Sequence, residues 1–472
     1  MQPHLRIVCG LVLAAAFSMP LEASSSSSKK LQDEVAALRE KNRQLIDEMA
    51  KMWLSIEKLT GHAAKANANT RQVDQLRSEV SRVKSELTTH TKESVSFKNL
   101  TPGGNKISIY GFARGEVERD SSAVNHPIFP LYIRSPDEMR NVESQLIFHP
   151  RNTRLGLDYG PTVVSGLDDA KAMAKVEIDF HQVDSAGTYP ESRTMPRLRL
   201  GFVRLDWLQS YLLVGQDWDI IAPLNPSVNM LAVMWNAGNL GDRRPMIQAG
   251  WSSRPKNQGF SVNVAAGEAG AVDNLRDPNV AGGLGIRGAD SAEPIWEARI
   301  AFNDTWAERK DKFHLSVWGH RMAHTSDKPI KGKTRFSSFS VGGSVQYPIT
   351  NTLSFKAERW WGQDLIDVRG GIAQWINTAT GEEIESVGGF EEATFKPVEW
   401  YSLLLGHSED HPGYKNVPVL GRIDNHAFWL GHRFRPGGRT EIGLDWIHWE
   451  TRYVGLARGL DNHLTFFLQQ SF

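Results

Sequence analysis

"HLTFFLQQSF", residues 463–472, brings the chain to its end on an aromatic. Leu464, Phe466, Leu468 and Phe472 are apolar at alternate positions, and Gln470 interrupts the series. Residues two apart in a strand share a face, so these side chains line one side of a terminal strand. Two readings fit the ten residues by themselves: a half-buried strand of a soluble sheet, or the closing strand of a membrane barrel. The rest of the chain decides.

The same period runs from Lys106 onward. In "KISIYGFARGEVERD" (106–120), Ile107, Ile109, Ala113 and Val117 fall on one face; Ser108, Tyr110, Arg114, Glu116 and Glu118 fall on the other. "AKVEIDFH" (174–181) separates Val176, Ile178 and Phe180 from Lys175, Glu177, Asp179 and His181. "KFHLSVWGH" (312–320) and "TRFSSFSVGGSVQY" (334–347) divide in the same way. A soluble sandwich also alternates, so the connections discriminate. Short turns at 208–210, 254–258, 348–351, 396–399 and 435–439, with looser ones near 160–169 and 303–311, are interleaved with long connections. The long ones fall near 119–143, 219–243, 267–291, 362–387 and 408–422. Outer-membrane barrels show this pattern, with short periplasmic turns and longer outer loops. Seven short turns imply eight hairpins and about 16 strands, an even number. Trp361, Trp400, Trp446 and Trp449, with Tyr347 and Tyr401, are read as interface girdles near strand ends. The expected fold is an all-β transmembrane barrel of antiparallel strands over 106–472, preceded by an α-helical coiled coil.

The opening "MQPHLRIVCGLVLAAAFSMPLEASSSSS" has the layout of a secretory signal over 1–23, with cleavage near Ser18 or Ala23. Cys9, the sole cysteine, leaves with it, which removes disulfides and thiolate metal sites from consideration. Beyond the signal no segment approaches the roughly 18 apolar residues of a spanning helix. Lys plus Arg equals Asp plus Glu at 54 each, so no net charge points to nucleic acid. After a serine-rich spacer (24–30), residues 31–92 carry a heptad pattern broken near 61–70. Leu31, Leu38, Leu45, Met52 and Leu59 fill one core position, and Val35, Asn42, Met49 and Ile56 the other. These nine residues are the candidate oligomerisation seam of a periplasmic coiled coil, with Asn42 as its polar register-setting member. The pattern resumes out of phase at Val73, Leu76, Val80, Val83 and Leu87. The core positions select no single oligomer state.

The terminal alternation ending on Phe472 resembles the signal by which bacterial outer-membrane barrels are handed to their assembly machinery. Further motifs resemble the DcaP-like trimeric outer-membrane porins: "IYGFARGE" (109–116), "RNTRLGLD" (151–158), "AKVEIDF" (174–180) and above all "PRLRLGFVRLDWLQSYLLVGQDWDIIAPLN" (196–225). The resemblance covers 25–472 as scattered motifs. It implies a homotrimer in the bacterial outer membrane, helices in the periplasm, and diffusion of small anionic solutes such as dicarboxylates. It also implies a third outer loop folded inward, here Asp219 to Gly241. After Gly215, Gln216 and Trp218 that stretch has little in common with the family.

The face opposite the apolar one lines a water-filled lumen. Its bases are read as Arg114, Arg154, Lys175, Arg197, Arg199, Arg299, Lys356 and Arg433, with Arg243 and Arg244 just after the inward loop. Its acids are read as Glu116, Asp158, Glu177, Asp179, Glu297, Glu358, Glu441 and Asp445. Rings of charge select solutes, and an arginine fork can hold both oxygens of a carboxylate. These arginines either guide anions or pair with the acids and brace the wall. "GLGIRG" (283–288) fits a nucleotide fingerprint without the helix that motif needs. "HSEDH" (407–411) reads as a solvated loop, and "KPIKGK" (328–333) as an outer basic loop beside lipopolysaccharide or water. No cofactor and no metal ligand set is assigned. Three functions compete: a passive pore, a tether whose first helical segment reaches about 43 Å, and an outer-membrane hydrolase. For the last, no nucleophile, base and orienting group stand together. The pore leads.

Overall fold

A computed structural model describes residues 107–126, 129–138, 144–183, 194–255, 258–269, 293–305 and 312–472, with a few positions between 40 and 51. Those few, among them Glu40, Arg43 and Lys51, are helical and exposed. The nine seam residues Leu31 to Leu59, the signal segment and "GLGIRG" lie outside the described residues.

The strands are β1 (Ile107–Asp120), β2 (Gln145–His149), β3 (Arg154–Val164), β4 (Ala170–Val183), β5 (Thr194–Asp206) and β6 (Ser210–Trp218). Then come β7 (Arg243–Arg254), β8 (Gln258–Gly267), β9 (Ile295–Thr305), β10 (Lys312–Ile330), β11 (Lys333–Pro348) and β12 (Leu353–Gln363). A small hairpin, β13 (Ile376–Asn377) and β14 (Glu382–Glu383), precedes β15 (Glu385–Val398), β16 (Tyr401–Pro412), β17 (Arg422–Gly437), β18 (Thr440–Tyr453) and β19 (Gly459–Ser471). β2 and β3 pair with successive halves of β1 and act as one interrupted strand. The barrel therefore has 16 antiparallel strands, closed by β1 on β19. Closure leaves no sheet edge, which a barrel in lipid requires.

Period-two alternation decides which side chains face out. Val341, Leu315, Val317, Phe466 and Leu468 are exposed, while Ser338, Ser340, Ser344, Ser316 and Phe467 are buried inside. An apolar outer face is what a barrel wall presents to hydrocarbon. Near the turns, Phe260, Phe302, Phe313 and Tyr347 form a chain of edge-on rings 5.0 to 6.1 Å apart across β8 to β11. Trp361, Trp400 and Trp446 also stand exposed. Trp449 does not belong with them. It lies three residues from Trp446, hence on the opposite face, and is wholly buried with its indole N–H donated to Asn425 at 2.6 Å. "HSEDH" is likewise the end of strand β16 and not a loop.

The chain terminus completes the seam. Phe472 N donates to the Gly111 carbonyl at 3.1 Å. Gly111 has φ +151°, and a Cβ there would stand 2.1 Å from the Arg154 carbonyl oxygen, so only glycine allows this approach.

Candidate functional site

The connection from β6 to β7, residues 219–242, lies inside the barrel. No charged residue occurs between Asp219 and Asp242, which suits a segment withdrawn from bulk water. A buried backbone N–H needs a partner, and here wall carboxylates supply it. Ile220 N donates to Glu297 on β9 at 2.7 Å, and Leu224 N to Glu358 on β12 at 2.8 Å. Ser227 N donates to Glu392 on β15 at 2.8 Å, and Asn229 N to Asp445 on β18 at 2.8 Å. The Asn229 amide continues to Glu116 on β1 at 2.7 Å.

Wall bases hold the carbonyls. Arg299 donates to Ile220 O, Lys356 to Asn225 O, and Arg433 to Ser227 O, at 2.9, 2.5 and 2.8 Å. Arg433 also grips Asp445 with both terminal nitrogens, at 2.7 and 2.9 Å. At the root, Arg244 is buried on Asp219 at 2.6 and 2.9 Å, and Arg369 reaches Asp242. Gly238 presses on the wall so closely that a Cβ would stand 2.3 Å from the Gly389 carbonyl oxygen.

Between these anchors the segment turns apolar side chains to the wall. Val228, Met230, Met234 and Trp235 form one core with Phe390, Trp429, Ile447 and Trp449 of β15, β17 and β18. Val124 and Ile133, from the connection after β1, join it. This side of the lumen is filled like a domain interior.

The remaining wall is different. On β3 to β5, Asp179 takes Arg197 at 3.0 and 2.7 Å and Arg199 at 2.9 Å. Glu177 takes Arg199 at 2.9 Å, with Arg154 at 3.5 Å. Arg243 stands 4.9 Å over the Trp218 ring, within electrostatic reach of Arg197 and Arg199. Its Nε and Nη1 have no hydrogen-bond partner among the described residues. Arg154, Arg197 and Arg199 thus share Glu177 and Asp179, while Arg243 lies within electrostatic reach of Asp242 and Asp179. A cavity of about 250 Å³, lined by Asp217, Trp218, Gln248 and Arg299 among others, opens beside the segment's root.

The structure therefore divides the lumen residues singled out in the sequence. Arg154, Arg197, Arg199 and Arg243 gather with Glu177 and Asp179. Arg244, Arg299, Lys356 and Arg433 contact the inserted segment or its root, as do Glu116, Glu297, Glu358 and Asp445. Arg114 stands apart, stacked 3.6 Å over Phe467 and 3.3 Å from Glu116. Sequence reasoning passed over Glu392, Asp219 and Asn229. For Glu392 the signal was available, because counting back by twos from the exposed Phe395 puts Glu391 outside and Glu392 inside.

Among the described residues, two buried groups could hold a metal ion: Glu116, Glu118 and His149, and Asp120, Asp461 and His463. Several of their atoms are already engaged, Glu116 by Asn152 and Asn229, and His463 by Asp120 and Thr465. The first group joins β1 to β2, and the second braces the β1–β19 seam.

No protein-family model and no curated protein matches the chain. Among solved structures, it is similar to the outer membrane channel DcaP of Acinetobacter baumannii. Identity is 16%, covering 79% of this chain and 99% of that one, with a TM-score of 0.62. OmpF of Salmonella typhi, in complex with daunomycin, is 11% identical over 78% of this chain and 98% of its own, with a TM-score of 0.50. These likenesses are of fold. The DcaP barrel is the one the sequence motifs resemble.

Proposed function

We propose that the chain is an outer-membrane porin, passing small hydrophilic anions of the dicarboxylate type by passive diffusion. The observation that carries this reading is Arg243, whose Nε and Nη1 have no hydrogen-bond partner among the described residues, set beside Arg154, Arg197 and Arg199 on the wall opposite the inserted segment's anchors. A guanidinium fork pairs both oxygens of a carboxylate. Two such forks in a row suit a solute with a carboxylate at each end. In this reading Arg154, Arg197, Arg199 and Arg243 meet the solute, with Glu177 and Asp179 holding two of the forks in place. Arg244, Arg299, Lys356 and Arg433 seat the segment that narrows the pore, and Arg114 belongs to neither set. The reading includes a homotrimer embedded among outer-membrane lipid and lipopolysaccharide, delivered by residues 1–23. Residues 31–92 form its periplasmic coiled coil, and Phe472 is the mark read by the barrel-assembly machinery. No chemical step is involved.

The test is conductance of the detergent-purified, unboiled protein in a planar bilayer, under a salt gradient and then with added dicarboxylate. Current steps in threes, an anion-favouring reversal potential and block by dicarboxylate are expected, with the block lost in Arg243→Ala. Silent insertions of correctly folded barrels would end the pore reading. They would favour a barrel that anchors the coiled coil.

A further inference from the structure

Three carboxylates line the cavity at the root of the inserted segment, and two of them are taken. Asp219 is gripped by Arg244 at 2.6 and 2.9 Å, and Asp242 by Arg369. Asp217 has no such partner. Its Oδ1 accepts the N–H of Trp218 at 2.8 Å, and no base forms an ion pair with it among the described residues. Arg244 stands opposite Asp217 across the β6–β7 ladder yet turns to Asp219. Lys175 and Arg204, the cations within electrostatic reach, are held by Asp158 and Asp206, each at 2.7 Å.

Donors facing the same cavity are in a similar state. Arg299 gives Nη1 to the Ile220 carbonyl at 2.9 Å, but its Nε has no hydrogen-bond partner among the described residues. Gln248, on β7, is 7% exposed and makes no side-chain hydrogen bond among them either. Buried polar groups in this condition cost free energy that a ligand recovers. Trp218, Ile221, Pro223 and Leu240 supply apolar walls. Apolar walls with a few converging polar groups are the form of a small-molecule site. At about 250 Å³ the cavity falls just below the usual range of about 300–1,000 Å³, which restricts it to a small solute or one end of a larger one.

We propose that this cavity is a subsite for an α-amino acid zwitterion. Asp217 takes the ammonium and Arg299 the α-carboxylate, while the Gln248 amide, both donor and acceptor, serves either group. The inference deepens the pore reading above, on which it rests, by naming the solute class: an amino dicarboxylic acid in preference to the bare dicarboxylate. The cavity adjoins the arginine cluster at Trp218, which lines it and has Arg243 4.9 Å over its ring. A side-chain carboxylate therefore finds the cluster while the α-amino group of the same solute stays with Asp217. A bare dicarboxylate offers Asp217 nothing, and covering that carboxylate without a partner counts against binding.

The experiment compares L-glutamate with glutarate, the same dicarboxylate without the amino group. Both are titrated by saturation-transfer NMR against the full-length, detergent-purified protein, with heat-modifiable gel mobility reporting the folded barrel. Glutamate is expected to bind about tenfold tighter or more, the usual worth of a hydrogen bond between charged groups. Asp217→Asn keeps the shape and the acceptor for the Trp218 N–H, and is expected to level the two ligands. Gln248→Leu is expected to narrow the gap, and it decides the matter if the Asp217 variant does not fold. Equal binding of both ligands by the parent, or a preference that survives in either folded variant, overturns the proposal. Conductance separates the two readings. Channels that conduct but bind both ligands alike retire the subsite alone, while silent barrels whose glutamate preference disappears in Asp217→Asn retire the pore alone.

Discussion

The two halves of the lumen wall use the same residue types to opposite ends. On β9 to β18, four carboxylates (Glu297, Glu358, Glu392 and Asp445) each receive a backbone N–H of the inserted segment, and neighbouring bases return bonds to its carbonyls. On β3 to β7, arginines outnumber carboxylates, and Arg154 Nε with Arg243 Nε and Nη1 have no hydrogen-bond partner among the described residues. Charge sign is alike on both sides. What differs is whether a base is consumed by the protein's own backbone. A buried donor left without a partner costs free energy until something pairs it.

That contrast can be broken most forcefully at Asp445. Asp445→Ala strands the buried Arg433 and frees Asn229 N, a loss of about 3–5 kcal/mol, to be read as a lower temperature for the unboiled-to-boiled gel transition. Open-channel noise is expected to rise as the segment loosens. Glu392→Ala is a smaller version of the same change. It leaves one buried N–H unmatched at about 1–3 kcal/mol, with the same gel readout. Arg243→Ala sharpens the contrast from the other side: the reversal potential moves towards cations and dicarboxylate block disappears, while stability stays within about 0.5 kcal/mol. Arg244→Ala should do the converse. Unchanged selectivity in Arg243→Ala would mean that the open wall is only a brace. The gentlest test is salt: raising ionic strength from about 0.1 to 1 M shortens screening from about 10 to 3 Å. Dicarboxylate block should weaken and the gel transition should hardly move.

Much of this is legible in the sequence. Alternation placed Glu116, Glu177 and Asp179 inside, and the turn spacing anticipated all seven turns and the strand count. The reading failed where period two was not followed through, as with Trp446 and Trp449, which cannot share a face. It also failed at the β10–β11 hairpin, whose link is only Lys331 and Gly332. Alternation simply continues through the outer extension there, so no long connection marks the loop. The division of the lumen bases was beyond sequence altogether. Arg299 and Arg199 both sit on the inward face of their strands, and only the path of residues 219–242 decides which one finds a carbonyl. Even so, the uncharged run from Ile220 to Gly241 is a signal that a loop in open water would not carry.

The order of the anchors has a consequence for biogenesis. Ile220, Leu224, Ser227 and Asn229 bind partners that follow them in the chain by 77, 134, 165 and 216 residues respectively. A polypeptide delivered amino end first must therefore hold this apolar stretch unsettled until nearly the whole wall has arrived. Contacts so distant in sequence are slow to form. The interior becomes obstructed only as the last hairpins join, from β9 round to β18. The late carboxylates thus act as a checklist of the wall: an incomplete barrel leaves the stretch accessible to proteases, and a finished one hides it. Pulsed proteolysis during assembly would show protection of 219–242 lagging behind that of the first hairpins.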